Sequence, residues 1–260
     1  MDQKKFRLQI FSLFIVFLLL LTGCQPQAAS TDEPQPAPTP EAVSTPETDQ
    51  ASAISADIVL DPAVTEDADS LLVSGYLYEG LVRLDENGNP QPGIAVSWVT
   101  SDDQLNYIFE IRQNAKFSNG NPITTDIIVE NFNRWFDPQS PLHGDGNYPT
   151  WSRIFLGFNG QRDADDRAIS QVDGIQKVDT NTVIIHLNRP VPELLEYLAH
   201  PAFTILDTSS LTDGYGTQNS SIVSSGAYQI SSWTDTGLTL TRNPEYWGAA
   251  GEPEISFIWK

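Results

Sequence analysis

Between Gln25 and about Ser55 the chain is rich in Pro, Ala, Thr, Glu and Gln and carries almost no large apolar residue. Such a stretch cannot bury enough surface to offset the entropy of ordering it, so it reads as an extended tether. Its acids Asp32, Glu33, Glu41, Glu47 and Asp49 face no bases, which favours extension. Folding is thereby confined to residues 56–260, where a hydrophobic content of 40% for the chain suits a packed globule.

The segment before the tether is of another kind. Lys4, Lys5 and Arg7 precede an apolar run from Leu8 to Leu21, broken only by Gln9 and Ser12, and Leu21-Thr22-Gly23-Cys24 follows. The run is short for a spanning helix and fits the core of a secretory signal. Cys24 is the single cysteine, and its setting resembles a bacterial lipobox. That resemblance implies removal of residues 1–23, diacylation of the Cys24 thiol, and a two-chain anchor on the outer face of the cell membrane. In an organism with an outer membrane the same leader makes the protein periplasmic. The competing reading is a spanning anchor with an incidental cysteine. On either reading the folded part contains no cysteine, and no disulfide supports it.

Acids outnumber bases 34 to 14, for a formal net charge of −20. A surface of that sign repels phosphate backbones, which excludes nucleic acid as a partner.

From Ala56 the hydrophobic pattern acquires periods. Asp57-Ile58-Val59-Leu60 reads as a short buried strand. Leu71, Leu72, Gly75 and Tyr78 give Asp69 to Tyr78 a helical spacing, closed by Gly80. Leu81–Leu84 and Tyr107–Arg112 read as strands, with turns at Asn87-Gly88-Asn89-Pro90 and Asn119-Gly120-Asn121-Pro122. Thr124 or Thr125 caps a helix whose Ile128, Phe132 and Trp135 form one apolar face. Asp137 to Asp166 reads as loop. Strands return at Gln171–Val178 and Thr182–Leu187, and Pro192 opens a helix burying Leu194, Leu195 and Leu198. Gly226–Ile230, Gly237–Thr241 and Glu254–Trp259 complete a mixed α/β (α+β) pattern. The chain ends at Lys260, within its last apparent strand, which points to an N-terminal fragment.

Candidate chemistry is sparse. His143 lies in the long loop, His186 on a strand and His200 at a helix end, and none has a partner at metal-ligand spacing. Each reads as a hydrogen-bonded structural histidine. Asp102-Asp103 and Asp165-Asp166 read as solvated turns, Gly-x-Ser-x-Gly is missing around Ser224-Ser225-Gly226, and no Gly-rich phosphate loop is present. The pattern argues against an enzyme and implies no cofactor and no metal. Trp135, Phe136, Tyr148, Trp151, Phe155 and Phe158 border the long loop. They fit either the lining of a cleft or an apolar cluster beneath the loop.

Several stretches, in order, resemble the family-5 extracellular solute-binding proteins, receptors for oligopeptides, dipeptides and nickel. They include Leu60-Asp61-Pro62, Tyr78-Glu79-Gly80-Leu81, Pro92-Gly93-Ile94-Ala95, Phe109-Glu110-Ile111-Arg112 and Arg134-Trp135-Phe136-Asp137-Pro138 with Ser140-Pro141. Val223-Ser224-Ser225-Gly226-Ala227-Tyr228 and Arg242-Asn243-Pro244-Glu245-Tyr246-Trp247-Gly248 follow. The resemblance implies the class II periplasmic-binding-protein-like fold, here its first lobe only (56–260), truncated before the second lobe. It implies a peptide or other small solute as ligand and ABC permease subunits as membrane partners. It places Glu66, Asp67 and Ala68, and Leu142 with its neighbour His143, on the ligand side, and gives the Ser224–Tyr228 motif a structural role. An aromatic is usual where Leu142 stands, so a stacking contact is lost there. With one cleft wall only, the resemblance implies weak binding and open strand edges. Receptors for a nickel chelate, haem or a sugar, and a surface interaction or sensing lipoprotein, are the alternatives.

Overall fold

The computed structural model describes residues 51–212 and 214–260. The leader, Cys24 and the tether as far as residue 50 lie outside the described residues. The elements run β1 (Ser52–Ile54), α1 (Ala68–Leu77), β2 (Val82–Leu84), β3 (Pro90–Pro92), β4 (Ala95–Thr100), β5 (Asn106–Ile111), α2 (Thr125–Phe136), α3 (Pro149–Phe155), β6 (Val172–Lys177), β7 (Thr182–Leu187), α4 (Leu194–Leu198), β8 (Tyr228–Thr234), β9 (Gly237–Arg242) and β10 (Glu254–Trp259).

Two four-stranded sheets organise two cores. In β5 the strict alternation of side chains buries Tyr107, Phe109 and Ile111 and turns Ile108 and Glu110 outward. β7 lies antiparallel to it with Phe109 opposite Val183 and Tyr107 opposite Ile185, so the buried residues of both strands share a face. β4 and β6 complete the order β4-β5-β7-β6. Onto that face α2 lays Ile128, Phe132 and Trp135, all buried, and Thr124 caps the helix by accepting from the Ile127 N–H at 3.3 Å.

Within the stretch expected to be loop, Trp151 and Phe155 belong to α3, which has Pro149 in its first turn and ends on Leu156 at φ 71°. Seven residues are too few to display a helical period, so the sequence pattern missed it. Trp151 and Phe155 pack with tilted rings 4.6 Å apart, and Phe132 meets Trp151 edge-on at 5.5 Å. Trp135, Phe136, Tyr148, Trp151 and Phe155 are buried in this first core and Phe158 packs against it. Of the two readings of these aromatics, the cluster beneath the loop is the one found.

The second core lies between α1 and the sheet ordered β1-β10-β9-β8, with Val73 and Leu77 packed among Leu238, Leu240 and Phe257. Two expectations change here. Asp57–Leu60 forms no strand, because the Val59 N–H goes to Ser70 Oγ at 2.9 Å and the Leu60 N–H to the Gly216 carbonyl at 2.8 Å; Ile58 and Leu60 are buried all the same. The strand is instead Ser52–Ile54, parallel to β10, so ordered structure starts before the expected boundary at residue 56. Ile54, the one large apolar residue there, is buried and holds the strand in place.

β10 is therefore not an edge. It is paired by β9 on one side and β1 on the other, Trp259 Nε1 donates to the Thr234 carbonyl at 2.8 Å, and the Lys260 ammonium meets Asp69 at 3.0 Å. Among the described residues the edge strands of the two four-stranded sheets are β1, β8, β4 and β6.

Candidate ligand-binding wall

The irregular segment from Leu60 to Asp67 crosses between the cores. A turn at Gly216 (φ 86°) approaches so closely that a Cβ there would lie 2.6 Å from the Asp61 nitrogen. Tyr78 donates to the Leu60 carbonyl at 2.9 Å and shares a 3.0 Å hydrogen bond with the Tyr215 hydroxyl. Burial pushes both phenols up, Tyr215 to about 12, so both remain neutral hydrogen-bonding groups.

Asp61 and Arg134 are both buried, with exposures of 5% and 6%. Arg134 Nη1 donates to Asp61 Oδ1 at 3.2 Å and Nη2 donates to Oδ2. This fork-to-fork pairing is the arrangement that lets two desolvated charges persist in an interior. The same Arg134 binds the other expected segment through its backbone. Its carbonyl lies 2.8 Å from His143 Nδ1, and since a carbonyl only accepts, that nitrogen carries the proton. The Tyr148 ring lies 5.5 Å from the guanidinium carbon, and its hydroxyl donates to the His143 carbonyl at 2.8 Å.

The five expected ligand-side residues thus fall into different settings. Glu66 is exposed and paired with Arg153 on α3 at 3.1 Å, and Ala68 is exposed. Asp67 is the N-cap of α1, accepting from the Ser70 N–H and hydroxyl at 2.7 Å each. Leu142 is half-buried beside an open groove lined also by Glu130, Asn133, Ser140, Thr208 and Ser209. Glu66–Ala68 are not part of that groove. His143 is buried, its ring set against Tyr148 and Phe158, and it holds the loop beside Leu142.

The remaining histidines are also engaged. His186 Nδ1 lies 2.6 Å from Asn106 Oδ1, and His200 Nδ1 accepts from the Ala202 N–H at 3.1 Å, with burial pushing its pKa down. Among the described residues no three His, Cys, Asp or Glu side chains converge as a metal set.

Glu79 and Tyr246 belong to separate sequence motifs, and no local pattern joins them. Tyr246 donates to Glu79 at 2.5 Å, Arg112 lies 3.7 Å over the Trp247 ring, and Lys116 pairs with Glu245 at 2.9 Å. Together they strap the β9–β10 loop onto the first core. Ser225 has a similar role, donating to the Ile205 carbonyl at 2.6 Å while accepting from the Glu79 N–H at 3.0 Å.

The mixed α/β lobe resembles the periplasmic-binding-protein-like fold. The fold matches HbpA2 from Haemophilus parasuis with a TM-score of 0.68 at 27% identity, covering 81% of this chain and 42% of that one. It also matches the substrate-binding domain of an oligopeptide ABC transporter from Bacillus anthracis str. Ames (TM-score 0.64, 26% identity, 77% and 39% covered). Residues 89–258 match the family described as bacterial extracellular solute-binding proteins, family 5 Middle. The periplasmic oligopeptide-binding protein OppA of Salmonella typhimurium is 33% identical over 197 residues, which are 74% of this chain and 35% of that protein. The chain belongs to the family-5 bacterial extracellular solute-binding proteins. That is a family of binding proteins and not of enzymes. The chain spans about a third of the length of the curated relatives it matches.

Proposed function

We propose that this chain belongs to the extracytoplasmic receptor of an ABC importer for oligopeptides or dipeptides, held at the outer face of the membrane by lipidated Cys24 and delivering its ligand to permease subunits. The observation that carries the reading is the 33% identity to an oligopeptide-binding protein across most of the folded region. In this reading Glu66, Asp67, Ala68 and Leu142 present one wall to an extended peptide, while His143 holds the loop behind Leu142. An extended peptide is gripped mainly through its backbone, and water-filled pockets tolerate varied side chains. One wall desolvates only one side of such a ligand, so affinity is weak, with Kd on the order of millimolar. Equilibrium dialysis of the chain against a mixture of di- to pentapeptides, a nickel chelate and simple sugars tests this. Peptides should be retained in preference; retention of the chelate or a sugar without peptides overturns the reading.

A further inference from the structure

We infer that Arg134 is a positioning residue, the shared tie that sets the two ligand-side segments in register with one another. The inference rests on the peptide-receptor reading of those segments. Its guanidinium grips Asp61, at the start of the segment that carries Glu66–Ala68, through both Nη atoms. The same guanidinium packs against Tyr148, whose hydroxyl closes on the His143 carbonyl and reaches the Leu142 carbonyl at 3.4 Å. The Arg134 main chain completes the clamp by receiving His143 Nδ1. Residues 61 and 143 are far apart in sequence, and one rigid helix, α2, carries the side chain that touches the surroundings of both.

The geometry is informative because charge burial is not needed for folding at such a site. A buried ion pair contributes little stability that a well-packed apolar pair could not replace. What an apolar pair does not reproduce is the directional fork, and with it a fixed distance between the two segments. A ligand that touches both segments then meets a wall already in its bound arrangement, so fewer molecules need to be reordered on binding.

The test is the double variant Arg134→Met with Asp61→Leu in the full chain, compared with wild type by thermal melting, amide hydrogen exchange and peptide titration. The double variant should melt as a single cooperative unit at or above the wild-type temperature. Amides of residues 65–68 and 142–146 should exchange about tenfold faster, with the sheets unchanged. For a peptide that wild type binds, Kd should rise about tenfold as the competent fraction falls. Unchanged exchange in either segment overturns the inference, as does faster exchange with unaltered peptide affinity. If wild type binds no peptide, the functional reading fails and the exchange result alone decides whether Arg134 sets the register. Should the double variant not fold, Arg134→Lys keeps the charge and gives up the fork. It must then show both segments opening together, by several-fold; opening of one without the other, or of neither, again overturns the inference.

Discussion

Glu79 is held where the two cores meet, its carboxylate accepting from Tyr246, and burial pushes its pKa above the usual carboxylate range. The folded protein therefore holds that proton more tightly than the unfolded chain does. The contribution is fully present below the unfolded pKa and is lost as pH rises through the folded value. Glu79→Gln keeps an acceptor for Tyr246 without the titration. Its melting temperature relative to wild type should rise between about pH 4 and pH 7; an offset that does not change with pH would count against a buried, titrating Glu79. Gly216 makes the opposite kind of demand, on backbone rather than charge. Its φ of 86° and the near approach of Asp61 leave no room for a methyl group, so Gly216→Ala should cost about 1–3 kcal/mol in denaturant unfolding. Neither role was legible in the sequence. Glu79 and Tyr246 are separated by 167 positions, and nothing local in either motif specifies a partner at that range. The same holds for Asp61 and Arg134, each visible as a motif member and invisible as a pair.

Elements were legible where a period had room to repeat. α2, β5 and β7 display their spacing over six to twelve residues and lie within a residue or two of where the pattern put them; α1 lies there too, but the face it buries is Ser70, Val73, Ser74 and Leu77, with the expected Leu72 and Gly75 exposed. α3 is a single short span between glycine-rich turns, and β1 gains its partner from the far end of the chain; their determinants are tertiary. Asp57–Leu60 failed for a related reason. Its apolar residues are buried as a strand's would be, yet its N–H groups bond a serine hydroxyl and a turn carbonyl. At this scale Asp67 is the informative position. Its side chain caps α1, so Asp67→Ala should cost about 1 kcal/mol and fray the first turn of the helix, seen as faster exchange at Asp69 and Ser70. If Asp67 also faces ligand, as proposed, Asp67→Asn should retain most of the stability, since asparagine caps comparably, while altering peptide affinity.

For the molecule as a whole, family and fold class were readable because many mild motifs occur in order, and local pattern fixed most of the sheet residues. The mutual placement of the cores was not readable, since it rests on long-range contacts at Asp61, Glu79, Ser225 and Tyr246. Cys24 supplies a prediction at this scale. Cells expressing the full chain should incorporate labelled palmitate into it, and Cys24→Ser should abolish the label and release the protein from membranes; continued labelling would contradict the proposed anchor. The most direct test of the binding wall is a titration of the isotope-labelled chain with unblocked tri-alanine, followed by amide NMR. If this wall receives peptide, shifts concentrate at residues 66–68 and around Leu142 and saturate on the order of millimolar peptide. Silence at those residues, or micromolar saturation mapped to another surface, would contradict it.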